Sequence, residues 1–106
     1  MKRSQTIKSQ KEFNYLIKNA KFKKNNYFVI YYNINNENKT MYGIAISRQV
    51  GKANERNKLK RQVRNIIDKN QKLFKNNYNY IIMIRKSCKE VKYNILEQAL
   101  TNLLEK

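Results

Sequence analysis

Tyrosine aside, the longest apolar run in this chain is Ile81-Ile82-Met83-Ile84. A run that short is strand-sized, and nothing approaches the roughly 18 apolar residues of a bilayer-spanning helix. A strand with no polar alternation has both faces covered, so residues 79–85 are predicted to lie inside a sheet. The rest of the chain must then supply flanking strands and covering helices. Its 106 residues fit one domain, taken as 1–106, and neither a proline nor a linker-like segment divides them. With 41% apolar residues, the core is feasible but small.

Local signals give the remaining elements. Ser9 and Glu12 form a capping box ahead of Phe13, Leu16, Ile17 and Ala20, spaced for one helical face. That predicts a helix over 9–19. Residues 20–24 read as a short strand. Residues 27–32 are β-branched and aromatic and read as a longer one. A polar turn covers 33–38, and 40–47 read as the antiparallel partner of 27–32. Residues 48–53 form a loop in which Gly51 supplies a positive φ.

Asn54 is the expected N-cap of a helix over 54–74, with Leu59, Val63, Ile66, Ile67, Asn70, Leu73 and Phe74 on one face. Val91, Ile95, Ala99, Leu103 and Leu104 mark a C-terminal helix, and Ser87 with Glu90 offers a second capping box. Helices on one side of a mostly antiparallel sheet define a two-layer α+β domain.

Charge narrows the function. Twenty-four Lys and Arg stand against seven Asp and Glu, a formal net of +17. A small domain so charged repels itself and calls for a polyanion, most commonly nucleic acid. An anionic membrane surface is the alternative. The chain has no histidine, the usual acid–base residue near neutral pH. Its acids (Glu12, Glu37, Glu55, Asp68, Glu90, Glu97 and Glu105) are scattered, with no pair spaced to hold Mg2+. Its two glycines, Gly43 and Gly51, make no phosphate loop. This inventory suits a binder and argues against a self-sufficient protein nuclease; no catalytic residue is assigned.

The single cysteine, Cys88, cannot form an internal disulfide, and no apolar segment follows the basic N-terminus as in a secretory signal. The cytoplasm is the simplest compartment. Frequent Asn, Lys, Ile and Tyr fit AT-rich coding, so the pairs Asn25-Asn26, Asn35-Asn36 and Asn76-Asn77 read as loop filler.

The densest basic cluster lies on the predicted second helix. Arg56, Lys60 and Arg64 recur at i, i+4, i+8, with Asn57 and Arg61 in the adjacent row. Stacked like charges destabilise a helix by about 0.2–0.5 kcal/mol per pair. Arginine forks grip phosphate oxygens bidentately, and asparagine serves a base edge or a 2′-hydroxyl. The cluster reads as a polyanion-binding ridge. Tyr27, Tyr31 and Tyr42 are candidate stacking rings, and Phe13 and Ile17 read by themselves as core.

Arg56-Asn57-Lys58-Leu59-Lys60-Arg61-x-x-Arg64 resembles the RNRxKRxxR signature of the bacterial ribonuclease P protein component. Gly43-Ile44-Ala45-Ile46-Ser47-Arg48-Gln49-Val50-Gly51-Lys52-Ala53 is similar to the family's G-x-x-V-S-K-K-x-G-x-A block. Phe13, the Phe28-Val29-Ile30-Tyr31 strand and the Tyr80-Ile81-Ile82-Met83-Ile84-Arg85 strand fall in register too.

The resemblance implies a two-layer α+β sandwich of order αβββαβα, ribosomal-protein S5 domain 2-like, with a left-handed βαβ crossover. It implies two RNA partners, the ribonuclease P RNA and precursor tRNA, with no membrane and no obligate protein partner. It implies a Mg2+-dependent cleavage in which the RNA is the catalyst and the metal is bound mainly by the RNA. By position, Arg56, Asn57, Lys58, Lys60, Arg61, Arg64, Arg48 and Lys52 would face RNA. Phe13, Ile17, Tyr31 and Ser47 would line a cleft for the 5′ leader, which moves Phe13 and Ile17 out of the core. Lys58 replaces an arginine, Gln49 a frequent lysine and Ile17 a common aromatic. A structural RNA-binding protein without turnover is the second reading, and the block from Gly43 to Arg64 favours the first.

Overall fold

The computed structural model describes residues 5–7 and 9–105. The first helix, α1 (Gln10–Asn19), begins where the capping box put it: the Ser9 hydroxyl accepts from the Glu12 backbone N–H at 3.3 Å. Then come β1 (Lys21–Lys24), β2 (Phe28–Ile34), β3 (Met41–Ile46), α2 (Ala53–Lys69), β4 (Tyr78–Ile84) and α3 (Tyr93–Glu105). Short 3-10 turns at Arg48–Val50, Gln71–Leu73 and Lys86–Cys88 join them. This is the order αβββαβα.

The sheet order is β1-β2-β4-β3. β4 is internal, antiparallel to β2 and parallel to β3, so its uninterrupted apolar run has neighbours on both edges and cover on both faces. The expected antiparallel pairing of residues 40–47 with 27–32 is therefore wrong. β3 never touches β2 along its length; α2 carries the chain over one face and β4 enters between them. Parallel neighbours need such a crossover, whereas a polar turn at 33–38 is compatible with either outcome.

The main core lies between the sheet and α2 with α3. Phe28 and Ile30 of β2, Tyr42 of β3, and Tyr80, Ile82 and Ile84 of β4 meet Leu59, Val63, Ile66 and Ile67 of α2 and Leu96, Leu100 and Leu103 of α3. The buried face of α3 is thus one residue out of phase with Ile95 and Ala99, and Ile95 is 40% exposed.

α2 starts at Ala53 with Lys52 as its cap, not at Asn54, whose side chain accepts from Glu55 N–H inside the first turn. It stops at Lys69, because Asn70 turns its amide back onto the Ile66 carbonyl at 2.8 Å. Ser87 does not cap α3 either. It lies in the turn before it, its hydroxyl donating to the Asn26 carbonyl, and Glu90 adopts a left-handed φ of 62°.

α1 is the exception to helices on one side. It packs on the opposite face, where Leu16 joins Ile81 of β4 and Ile7, flanked by half-buried Phe13, Ile17, Ala20, Tyr31 and Met41. Adjacent residues point to opposite faces of a strand, so Ile81 and Ile82 serve different cores. The outer edge of β3 is closed in part by Thr6, which bridges to Tyr42.

The asparagines are not all filler. Asn25 accepts from the N–H groups of Tyr27 and Phe28, both at 2.9 Å, and donates to the Ala99 carbonyl at 3.0 Å, tying the β1–β2 turn to α3. Asn35 donates to the buried Asn79 and to the Lys39 carbonyl.

Cys88 is fully buried, and its thiol donates to the Tyr27 carbonyl at 3.1 Å. Burial pushes the thiol up to about 11. On the order of one thiol in a thousand is then ionised at pH 8, so Cys88 is expected to resist iodoacetamide until urea unfolds the chain. Mass spectrometry of alkylated protein checks this; rapid labelling in native buffer would show the site to be open.

Candidate nucleic-acid interface

Two basic surfaces emerge, and they lie on different elements. The first is the outer side of α2. Asn54, Asn57, Lys60, Arg61 and Arg64 line one shallow depression of about 500 Å3 that contains no acidic side chain. Glu55, near the start of the helix, points elsewhere, to Lys89 at 4.0 Å, and Lys69, at its end, reaches Glu97 at 3.4 Å. Asn57, Arg61 and Arg64 are exposed and Lys60 is half-buried.

The segment divides at its other members. Arg56 does not share the outward row. It sits three residues before Leu59 and seven before Val63, on the stripe that enters the core, and is half-buried. Its Nε is buried with no hydrogen-bond partner among the described residues. Lys58 lies around the helix, in a hollow with Gln62, Lys89 and Val91. Reading i, i+4, i+8 as one face overlooks a drift of 40° per step, enough to carry Arg56 inward while Arg64 stays outward.

The second surface is the part of the sheet that α1 leaves uncovered. Phe22 and Lys24 of β1 pair with Tyr31 and Val29 of β2, and Val29 pairs with Met83 of β4, so these side chains share one face. Ser47 and Gln49, before α2, and Arg85 and Lys86, after β4, complete a groove of about 550 Å3. It holds aromatic rings and three cations, and no carboxylate lines it. Arg85 is steadied by an Nη1 bond of 2.8 Å to the Asn25 carbonyl. The Ser47 hydroxyl accepts from Gln49 N–H at 3.2 Å, which holds the 3-10 turn at the groove's rim.

α1 closes the neighbouring end. The Phe13 ring lies so near the sheet that a Cβ at Gly43 would come within 2.8 Å of it. Gly43 therefore admits the ring by having no side chain. Phe13, Ile17 and Tyr31 all pack against the small cluster of Ile7, Leu16 and Ile81, and Tyr31 also lines the groove with Ser47, so the four cleft candidates lie on one side of the sheet. Phe13 and Ile17 are half-buried there, so they pack on Ile81 and retain exposed surface. Arg48 and Lys52 are exposed on the connection between β3 and α2.

Two of the proposed stacking rings are spoken for. Tyr42 is 2% exposed and meets Phe74 edge to face at 5.2 Å, its phenol pushed up by burial. Tyr27 packs against the main core, leaving Tyr31. Phe22, Lys24, Met83, Arg85 and Lys86 were not singled out from the sequence. The alternation Phe22-x-Lys24 opposite Tyr31-x-Val29 was the available signal, and it needed the register of β1.

The ribonuclease P family model matches residues 1–106. The chain belongs to the ribonuclease P protein family. It is similar to the ribonuclease P protein component of Mycoplasma capricolum, 40% identical over 99% of this chain and 97% of that one. It is similar to that of Thermotoga maritima, 31% identical over 98% and 92%. Among solved structures, a ribonuclease P protein from T. maritima superposes with a TM-score of 0.86 at 30% identity, covering 94% of each chain. One from Staphylococcus aureus gives 0.85 at 25% identity, covering 95% and 93%. The family is the protein component of the endoribonuclease that matures tRNA 5′ ends, and it implies an RNA partner. Among the described residues no helix is long and apolar enough to cross a membrane.

Proposed function

We propose that the groove takes the unpaired 5′ leader of precursor tRNA, while the outer side of α2 holds the ribonuclease P RNA. The observation that carries this is the groove itself, with an aromatic floor, cationic walls and no carboxylate. Single-stranded nucleic acid is bound by such a combination, rings for bases and cations for phosphates. α2 instead presents forks and an amide in a row, suited to the backbone of a folded RNA. Arg48 and Lys52 lie on the connection between the two surfaces and can serve either strand.

The chemistry then belongs to the RNA. The seven acidic side chains are scattered along the sequence, and the Mg2+ is assigned mainly to the RNA, whose phosphates are its natural ligands. The protein's part is to supply affinity and positioning, in the cytoplasm where precursor tRNA is made.

The test is reconstitution with a bacterial ribonuclease P RNA and a 5′-extended tRNA at low Mg2+. Cleavage at the mature 5′ end that needs both protein and RNA is the expected result. Binding without stimulated cleavage, with the cognate RNA as well, would leave a structural RNA-binding protein. Within that assay, Tyr31→Ala is expected to weaken leader-bearing substrate by about 1–3 kcal/mol, the range for one stacked base, and to spare mature tRNA. Equal losses for both would remove Tyr31 from the leader's path.

A further inference from the structure

Phe22 has no structural role proportionate to its size. It sits on the edge strand β1 among Lys21, Lys23 and Lys24, and is 57% exposed. An exposed phenylalanine on a sheet edge invites unwanted strand pairing, which the flanking lysines oppose. Its ring meets one other ring, that of Tyr31, at 6.1 Å between centroids and tilted by 47°. The two rings and Lys24 line the same groove.

We propose that Phe22 is a second base-stacking position for single-stranded RNA, next to Tyr31, and that the strand continues outward across β1 with Lys24 beside its phosphate. This rests on the groove being the leader site. The supporting geometry is specific. Phe22 and Tyr31 are register partners on adjacent strands, so their rings stand side by side on one face, tilted enough for a base to enter against either. Lys24 follows on the same face two residues further, about 6.6 Å along a strand, the scale of one nucleotide. Ile17, on α1, offers no ring, so the aromatic surface of this groove is displaced from α1 towards the β1 edge. The chain therefore engages leader bases farther from the Phe13 end than Phe13 and Tyr31 alone would reach.

The test uses the reconstituted holoenzyme and 5′-extended tRNA whose leader carries a single abasic nucleotide, moved along the leader. Phe22→Ala is expected to weaken the intact leader substrate on the order of tenfold while leaving mature tRNA unchanged. At one leader position the abasic substrate should bind wild type and Phe22→Ala equally, and that position should differ from the one that pairs with Tyr31→Ala. Phe22→Trp should restore affinity. Thermal melts of the variants, expected to match wild type for so exposed a side chain, separate binding from folding.

If Tyr31→Ala loses leader-dependent affinity and Phe22→Ala does not, the second stacking position is overturned and the leader groove stands. If the leader adds no affinity even to the wild-type holoenzyme, the groove assignment falls and this inference with it. A loss in Phe22→Ala that no abasic position relieves would also overturn it.

Discussion

Replacing Arg61 and Arg64 together by alanine is expected to weaken binding to the ribonuclease P RNA about a hundredfold at low salt and to flatten its salt dependence. Both side chains project from the outer side of α2 into a depression free of carboxylates, so their charge is available to phosphate. A charge-assisted hydrogen bond contributes on the order of 1.5 kcal/mol net, about tenfold for each arginine. Each neutralised phosphate also releases condensed counterions. Losing two such contacts should lower the slope of log K against log salt by roughly 1.5–2 units. Wild type and variant should therefore converge as NaCl rises. Titrations at several salt concentrations check it, and an unchanged slope would take the outer side of α2 out of the interface. Lys58→Ala is the internal control, because Lys58 occupies a different side of the helix and should move the slope less.

The largest effect on stability is expected from Ile82→Ala. Ile82 is wholly buried at the centre of β4, with Ile30 of β2 and Ile44 of β3 as register partners, under the main core. Truncating a buried isoleucine to alanine costs about 2–5 kcal/mol, and close packing from three sides favours the upper half of that range. A domain of this size is stable by about 5–15 kcal/mol in all. Urea unfolding followed by circular dichroism should show a lower midpoint at unchanged slope, and the melting temperature should fall by roughly 15 °C or more. A loss under 1 kcal/mol would contradict the packing described. The neighbouring Ile81→Ala tests the other face. It removes the platform under Leu16 and Phe13 from the smaller cluster, so α1 should loosen and leader affinity should drop along with stability.

What could be read in the sequence was what is local. The capping box of Ser9 and Glu12, the basic segment from Arg56 to Arg64 and the apolar run of β4 each sit within a few residues, and each predicted its element or surface. Pairing was not legible from periodicity. Met41–Ile46 shows the same pattern in a parallel or an antiparallel ladder, and only the position of β4 decides between them. The phase of α3 failed for a related reason. Apolar residues fill a broad stripe that includes both Ile95 and Leu96, and the sheet chose the row of Leu96, Leu100 and Leu103. Tyr42 is the informative miss at the site: its ring suits stacking on bases, yet the core side of β3 turns it inward. Arg56 lies half-buried beside the helix stripe of Leu59. Phe22 is not legible from the sequence, because four residues of KFKK say little until their register against Tyr31 is known.

The sheet order β1-β2-β4-β3 has a consequence for how the chain is made. β4 is the last strand to leave the ribosome, and it alone joins β2 to β3. Until Ile84 has emerged, β2 and β3 lack the strand that pairs with both, and their ladder groups have no partner on that side. Synthesis at about 5–20 residues per second leaves that interval short but not negligible. Contacts this distant in sequence also slow closure once the strand arrives. The abundant positive charge, which the finished protein spends on RNA, would meanwhile keep unfinished chains apart through mutual repulsion.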